Sequence, residues 1–329
     1  MKPYLLIILL LGSSTMLLGQ ENEKNISWSI ETSLEYQLEQ DQQQFIDKGP
    51  EYRSIPIKAD LQRNIVGPKN YLTNLVLDLL SKGELKGYPE PGAEAIPAEK
   101  MNGLLKNLKA YEIETFELKQ RWRFDATEKV LSSEIIGVYP IYSIEGTRDR
   151  LCWIPFDANN SKSLFDINNP DLTWISMVTS MLNLDQATEI KGATSSFKAA
   201  IFDALEKADY YPYEGSEANP LAWEQPKDRA FLTCQIVGCI DSIITFNPDT
   251  YEEKIKVIHN LPMDPGNIKK LQVHQFIYFD QSTKALRSLV YAMKPYLYDP
   301  GTGDELRGYP LCGIRFDVLP QVNRSPRKE

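Results

Sequence analysis

The stretch that decides the fold is FELKQRWRFDATEKVLSSEIIGVYPIYSIEGTRDRLCWIPFD, residues 116–157. Near the other end of the chain, residues 271–317 read LQVHQFIYFDQSTKALRSLVYAMKPYLYDPGTGDELRGYPLCGIRFD. The two stretches align without a gap from Phe116/Leu271 to Tyr142/Leu297. The second copy then has a longer turn, after which Leu-Cys-x-Ile-x-Phe-Asp recurs. The sequence therefore contains a duplicated unit.

Alternation within this stretch predicts β-strands. Phe116, Leu118, Trp122 and Phe124 alternate with charged residues, which is the pattern of an antiparallel strand with one buried face. A short hairpin turn follows, and the second copy repeats the arrangement. Gln120 and Gln275 fall at the same place on the apolar face, so we expect them to hydrogen-bond across the sheet.

Helical spacing precedes each predicted sheet. The first apolar stripe runs from Leu72 to Leu80, and the second runs from Phe197 to Leu205. The predicted fold class is therefore α+β, with two related units, each a helix followed by a three-stranded antiparallel β-meander. Residues 172–184 also show helical spacing and predict a trailing helix. Residues 231–246 and 253–261 predict an inserted strand pair.

The chain begins MKPYLLIILLLGSSTMLLGQ, with a basic residue, a short apolar run and then small residues. This is typical of a secretory signal peptide, because the run is too short to cross a bilayer. No cysteine lies near the expected cut, so a lipoprotein anchor is not predicted. The predicted organisation is a signal peptide (1–19), a polar N-terminal arm (20–69), a first α+β repeat with its trailing helix (70–192), a second repeat with the strand pair (193–320) and a disordered tail (321–329).

Charge and cysteine content narrow the partners. The chain has 36 basic and 45 acidic residues and a net charge of −9, which argues against nucleic acid as a partner. Its four cysteines allow three pairings. Cys152 and Cys312 occupy equivalent positions, and we expect both to be buried in strands. Cys234 and Cys239 lie in a strand-like run that points them to opposite faces, which argues against a shared metal.

The sequence predicts no catalytic, cofactor or metal site. His259 and His274 lack ligands at metal-binding spacing, and the chain contains no serine elbow, phosphate loop or dinucleotide motif. Two aspartate pairs, Asp125/Asp280 and Asp157/Asp317, recur in both units. Each follows a phenylalanine at a strand end, so turn capping is favoured over a glycosidase-like pair of carboxylates.

Aromatic and basic residues supply a candidate interface. They are Arg121, Trp122, Arg123, Phe276 and Tyr278. Arginine and aromatic side chains are enriched at the centres of protein interfaces. The competing interpretation is that a helix or the other repeat covers this face. The residues themselves leave both interpretations open.

The same stretch resembles the gliding-motility GldN (PorN) family. The resemblance is carried by the Lys-x-x-Trp-x-Phe-Asp of residues 119–125, by the Ile-Ile-Gly-Val-x-Pro of residues 135–140 and by the Leu-x-Trp-Ile-x-Phe of residues 151–156. The helix ending at Gly83, the following Tyr88 and the segment SLFDINNPDLTWISMVTSML are also similar to the family. Strong resemblance covers residues 70–184, and the second repeat resembles the family weakly.

This resemblance implies a non-enzymatic periplasmic subunit of the type IX secretion and gliding machinery, peripherally associated with the outer membrane. It implies an outer-membrane lipoprotein of the GldK (PorK) type and other secretion subunits as partners, a homo- or hetero-oligomer, and no cofactor. A paralogue with another partner is also compatible. The alternative function is an exported carbohydrate-binding or hydrolytic protein that acts in a groove between the repeats.

Overall fold

A computed structural model describes residues 25–37, 71–106, 108, 112–144, 146–156, 172–185, 188–214, 223, 225–248, 250, 252–298 and 308–316. The helices are α1 (Tyr71–Ser81), α2 (Ala98–Lys106), α3 (Thr194–Glu206) and α4 (Arg229–Val237). The strands are β1 (Ile26–Gln37), β2 (Ile113–Asp125), β3 (Val130–Ile144), β4 (Thr147–Arg150), β5 (Ile154–Pro155), β6 (Leu172–Asn183), β7 (Thr188–Lys191), β8 (Pro212–Tyr213), β9 (Cys239–Phe246), β10 (Glu253–Asn260), β11 (Ile268–Asp280), β12 (Ala285–Leu297), β13 (Tyr309–Pro310) and β14 (Gly313–Arg315).

Antiparallel sheets dominate the fold. The first sheet has the order β4-β3-β2-β1-β7 with β5 beside β3, and the second has the order β6-β11-β12-β14-β8 with β13 beside β12. Each of these six-stranded sheets curls into a half-barrel. Strands β9 and β10 form a separate two-stranded sheet. The predicted units of one helix and a three-stranded meander are therefore wrong, because each sheet recruits strands that the sequence did not reveal.

Two of those strands lie where no strand was predicted. Residues 26–37, inside the predicted polar arm, form β1 and pair with β2. The helix predicted over residues 172–184 is also wrong, since residues 172–183 form β6 and pair along the length of β11. Trp174, Val178 and Leu182 fit helical and strand spacing equally well. Pairing with an apolar strand then decides for the sheet, because tertiary context outweighs local pattern.

These leading strands show that the repeat starts earlier than the sequence alignment suggests. Trp28 of β1 lies opposite Phe124, and Trp174 of β6 lies opposite Phe279. Phe124 and Phe279 are equivalent in the two copies. Each unit therefore consists of a leading strand with tryptophan, a helix, and then the paired strands. Strand β6 falls within the predicted first unit in sequence but belongs to the second sheet.

The two units are related by an approximate two-fold arrangement. Gln120 Nε2 donates to Oε1 of its counterpart Gln275 at 3.0 Å, and the hydroxyls of Ser133 and Ser288, also counterparts, lie 2.5 Å apart. A residue meets its own counterpart only at a symmetry axis. The glutamines thus bond to each other between the two sheets and are both fully buried.

The hydrophobic core is also shared between the two units. Helix α3 of the second unit packs against both sheets, and its Phe197 ring stacks 3.9 Å from the Trp28 ring of the first. Helix α1 packs in the equivalent way, in a cluster that includes Phe116 of the first sheet and Trp174 of the second. Burial of a large apolar side chain contributes about 1.5–3 kcal/mol. Neither unit completes its core without the other.

Candidate functional site

The predicted interface arginines form ion pairs on the outward face of the first sheet. Arg121 Nε and Nη2 donate to Glu31 Oε1 at 3.1 and 2.7 Å, across the β1–β2 pair. Arg123 Nη1 lies 2.8 Å from Glu134 Oε2 on β3. Both arginine side chains are about one-third exposed. Cross-strand charge pairs of this kind contribute about 0.2–1 kcal/mol to a sheet.

The predicted aromatic residues are buried. Trp122 is 1 % exposed and donates its Nε1–H to Thr32 Oγ1 at 2.8 Å. Phe276 and Tyr278 lie on the other face of their sheet from Ile277 and Phe279, yet they are also buried, in a cluster with Trp223 and Tyr291. Among the five candidates, Arg121 and Arg123 alone keep substantial exposed surface.

Trp223 explains why that outer face is covered. A Cβ added at Gly313 would lie 2.5 Å from the Trp223 ring, so the indole rests directly on the β14 backbone. Phe276 and Tyr278 are therefore covered by Trp223 of the same predicted repeat, and not by the helix or the other repeat that the competing interpretation named. Alternation in the sequence gives the face of a strand, but it does not reveal a covering residue that is distant in the chain.

His274 is part of this covered face. Its Nδ1 lies 3.0 Å from Thr179 Oγ1, and the Trp223 ring meets it edge-on with centroids 5.8 Å apart. Burial, with a smaller effect of the Lys294 charge, lowers the His274 pKa to about 3. The imidazole is therefore neutral at physiological pH, and it packs against Trp223 while its Nδ1 stays within hydrogen-bond distance of Thr179. His259, in contrast, is exposed on β10.

The first recurring aspartate pair caps turns, as the sequence predicts. Asp125 Oδ1 accepts from the backbone N–H groups of Thr127 and Glu128 at 2.7 and 3.0 Å. Its counterpart Asp280 accepts from Ser282 and Thr283. Burial raises the pKa of Asp280, but these hydrogen bonds and Arg287 outweigh it, so the pKa lies below its usual value. Asp157 and Asp317 lie outside the described residues.

A cleft of about 540 Å³ lies between the units. Strands β1, β2 and β6 line it, with Glu31, Thr32, Lys119, Gln120 and Ser180 among the polar contributors. Glu31, the carboxylate in this lining, already binds Arg121. Asp125 and Asp280 are not part of the lining, so this pair of carboxylates does not converge on the cleft.

The most unusual surface is the hairpin formed by β9 and β10. Residues directly opposite each other in its ladder share a face, which sorts its side chains into two sets. One set includes Ser242, Glu253 and His259, and its apolar members define the apolar hairpin face: Ile240, Ile244, Phe246, Ile255 and Val257. These five side chains are between 53 % and 72 % exposed. The opposite face carries Asp241, Thr245, Lys254 and Lys256 beside Ile243 and Ile258.

The base of the hairpin is firmly attached. Cys234 of α4 and Cys239, the first residue of β9, form a disulfide with Cα atoms 5.0 Å apart. Gly238 between them has φ of +81°, and a Cβ there would lie 2.9 Å from the Asn260 carbonyl oxygen. The predicted strand at residues 231–237 is wrong, since α4 occupies them, whereas the pairing of residues 239–246 with 253–260 is confirmed.

The other two cysteines are buried free thiols. Cys152 and Cys312 are at most 1 % exposed. Burial raises the pKa of both thiols to about 12, so neither is a nucleophile at neutral pH. Their predicted burial is confirmed, but their predicted place in strands is wrong, since Cys152 precedes β5 and Cys312 precedes β14.

Within the described ranges, no three His, Cys, Asp or Glu side chains are placed to hold a metal ion. None of the helices described in the structure has the length and hydropathy that a bilayer-spanning helix needs. The site with the clearest chemical character is thus the apolar hairpin face. Comparisons with protein-family models, curated proteins and solved structures give no match.

Proposed function

We propose that this chain is a non-enzymatic structural subunit of a periplasmic assembly of the type IX secretion and gliding-motility kind. In this proposal, the apolar hairpin face binds another subunit, an outer-membrane lipoprotein of the GldK (PorK) type. The observation that carries the proposal is the exposure of five large apolar side chains on one face of a hairpin.

The free-energy cost of exposing apolar side chains to water supports a partner at this face. Contiguous exposed apolar patches are uncommon on monomeric proteins and mark interaction surfaces. Each large apolar side chain gains about 1.5–3 kcal/mol on full burial. Strand alternation puts these five side chains on the same face, and the polar residues opposite them suit solvent. A hairpin with this pattern is suited to covering an apolar surface of another protein.

The chemistry of the chain agrees with an exported protein. The hairpin base contains a disulfide, and disulfides persist in oxidising compartments such as the periplasm. The predicted signal peptide, residues 1–19, points the same way, although it lies outside the described residues. The family resemblance of residues 70–184 supplies the kind of assembly and the partner.

The test is an affinity pull-down of the tagged chain from solubilised envelopes of its own host, with co-purifying chains identified by mass spectrometry. The double variant Ile244→Glu/Ile255→Lys replaces a directly opposed apolar pair with an ion pair, so the hairpin ladder is kept while its apolar face becomes charged. The control Thr245→Glu adds a charge opposite Lys254 on the polar face.

We expect the unaltered chain and the control to recover an outer-membrane lipoprotein together with other secretion subunits. The double variant should lose both. If the unaltered chain is recovered without partners, or if the double variant retains them, the proposal is wrong.

The cleft between the units gives the alternative function a location. A carbohydrate-binding protein would use its polar lining, with Thr32 and Ser180 as hydrogen-bonding groups. A hydrolytic version has weaker support, because Asp125 and Asp280 cap turns outside this lining. Calorimetric titration with envelope glycans distinguishes this function, since heat of binding that Ser180→Leu abolishes would favour it.

A further inference from the structure

The two edges of the hairpin differ in charge. Strand β9 reads CIDSIITF and has one charged residue, Asp241, whereas β10 reads EKIKVIHN and has Glu253, Lys254 and Lys256. Lysines on an edge strand hinder pairing with another strand. A segment rich in β-branched residues with low charge and no proline or glycine favours pairing. The β9 edge is therefore better suited than the β10 edge to pairing with another strand.

The alternation of hydrogen-bonded residues along the ladder shows which backbone groups of β9 point away from β10. Asn247 N–H donates to the Glu252 carbonyl at 3.0 Å, and the ladder continues from there without a register shift. Inward and outward residues alternate in an antiparallel ladder, so the even-numbered residues of β9 direct N–H and C=O away from β10. Ser242 N–H agrees, because it donates to the Asp241 side chain at 2.7 Å. Among the described strands, β9 pairs with β10 alone.

We propose that two copies of this chain pair through the β9 edge, antiparallel, about a two-fold axis at Ile243. In this register Ser242 of one copy lies opposite Ile244 of the other, and both present outward N–H and C=O groups. Ile240 lies opposite Phe246. The two hairpins then form one four-stranded antiparallel sheet.

A second copy fits this edge because the β9 sequence is self-complementary in this register. Asp241 lies opposite Thr245 of the other copy, so no like charges face each other. Pairing through β10 would instead place lysines together: with the axis at Ile255, Lys254 of one copy faces Lys256 of the other. Like charges directly opposite each other destabilise a strand pair. Self-association is thus expected at β9 and opposed at β10.

The proposed pairing would enlarge the surface that binds the lipoprotein subunit, and this role rests on the proposed function. A two-fold axis perpendicular to the joined sheet puts both apolar hairpin faces on the same side. The apolar area offered to the lipoprotein subunit doubles, and one pair of chains presents it as a single surface. The edge contact and the face contact use different atoms, so they fail separately.

The test is sedimentation velocity on the full mature chain over a concentration series. Ser242→Pro removes an outward N–H, and proline is tolerated on a strand edge that faces solvent. Val257→Pro is the matched control, because Val257 lies opposite Ser242 and its replacement removes the corresponding N–H from the β10 edge. We expect a dimer for the unaltered chain and for Val257→Pro, and a monomer for Ser242→Pro.

Ile243→Glu is a second variant that keeps the hairpin intact, since the introduced carboxylate would face Lys256 within the hairpin. At the dimer axis the same carboxylate would face its own copy, and like charges directly opposite each other are destabilising. This variant should also sediment as a monomer. A monomeric unaltered chain, a dimeric Ser242→Pro or Ile243→Glu chain, or equal loss in Val257→Pro would overturn the proposal. The face variant Ile244→Glu/Ile255→Lys should remain dimeric while it loses the lipoprotein, which separates this proposal from the proposed function.

Discussion

Gln120 and Gln275 hydrogen-bond to each other where the two sheets meet, with Gln120 Nε2 3.0 Å from Gln275 Oε1. Both amides are fully buried, and Ser133 Oγ donates to the same Gln275 oxygen at 3.0 Å. Two counterparts from a duplicated sequence thus satisfy each other. Each buried amide therefore depends on the other for hydrogen bonds.

Replacing one member of this pair should be costly. Gln120→Leu leaves the Gln275 amide buried without its partner, and we expect the free energy of unfolding to fall by about 1–3 kcal/mol. The double variant Gln120→Leu/Gln275→Leu removes both polar groups and should lose less than the sum of the single variants. Urea unfolding of the four proteins measures the coupling. Additive losses would show that the two amides act independently.

Gly313 should not tolerate a side chain. A Cβ there would lie 2.5 Å from the Trp223 ring, so Gly313→Ala forces the indole off the sheet and should cost about 1–3 kcal/mol. Gly103 in α2 is the control, because a Cβ there meets nothing within 4 Å. Gly103→Ala should stabilise the protein by about 0.5–1 kcal/mol. Thermal unfolding compares the two, and tryptophan fluorescence reports whether Trp223 becomes exposed.

His274 should make stability depend on pH. Its pKa is about 3 in the folded protein against about 6.5 in the unfolded chain. The unfolded chain therefore binds a proton first as the pH falls. The stability associated with His274 is fully present above about pH 6.5 and declines as the pH falls towards 3, by at most about 1.4 kcal/mol per pH unit.

Urea unfolding between pH 7 and pH 5 tests this expectation, since few carboxylates titrate in that window. His274→Gln should flatten the slope in this range. His259→Gln, a change at an exposed position, should leave it as it is. An unchanged slope in His274→Gln would show that another group is responsible.

Thiol reactivity should separate the four cysteines into two classes. In the folded protein an alkylating reagent should modify none of them before reduction, because Cys234 and Cys239 are joined and the other two are buried with pKa values of about 12. After mild reduction, Cys234 and Cys239 should react while Cys152 and Cys312 react only on unfolding. Peptide mass spectrometry reads out the sites. Native labelling of Cys152 would contradict the buried assignment.

Sequence patterns predicted the paired strands around Phe124 and Phe279 because both faces of the alternation were visible within one stretch. They also predicted the turn caps, since an aspartate at a strand end has a local role. They missed β1 and β6, whose strand character comes from pairing with β2 and β11. The covering of Phe276 by Trp223 was equally invisible, because nothing local in the sequence links the two residues.

In the candidate site, too, the local strand pattern was predictable, whereas the features that depend on distant parts of the fold were not. The strand pair at residues 239–246 and 253–260 was expected, but its exposure was not. Ile240 and Ile244 read as buried residues by composition alone, since isoleucine is among the residue types most often found inside proteins. Whether a sheet's apolar face is covered depends on the position of the whole element, which the alternation of β9 and β10 does not contain.

The packing of helices α1 and α3 against both sheets affects how the chain folds during synthesis. A chain that emerges N-terminus first exposes Trp28 and Phe124 well before their partner Phe197 of α3 is made. Contacts this distant in sequence slow folding, and unpaired apolar strands are prone to association while they wait. Completion of the first half therefore depends on arrival of the second. Truncation before α3 should leave an aggregating fragment rather than a smaller folded protein.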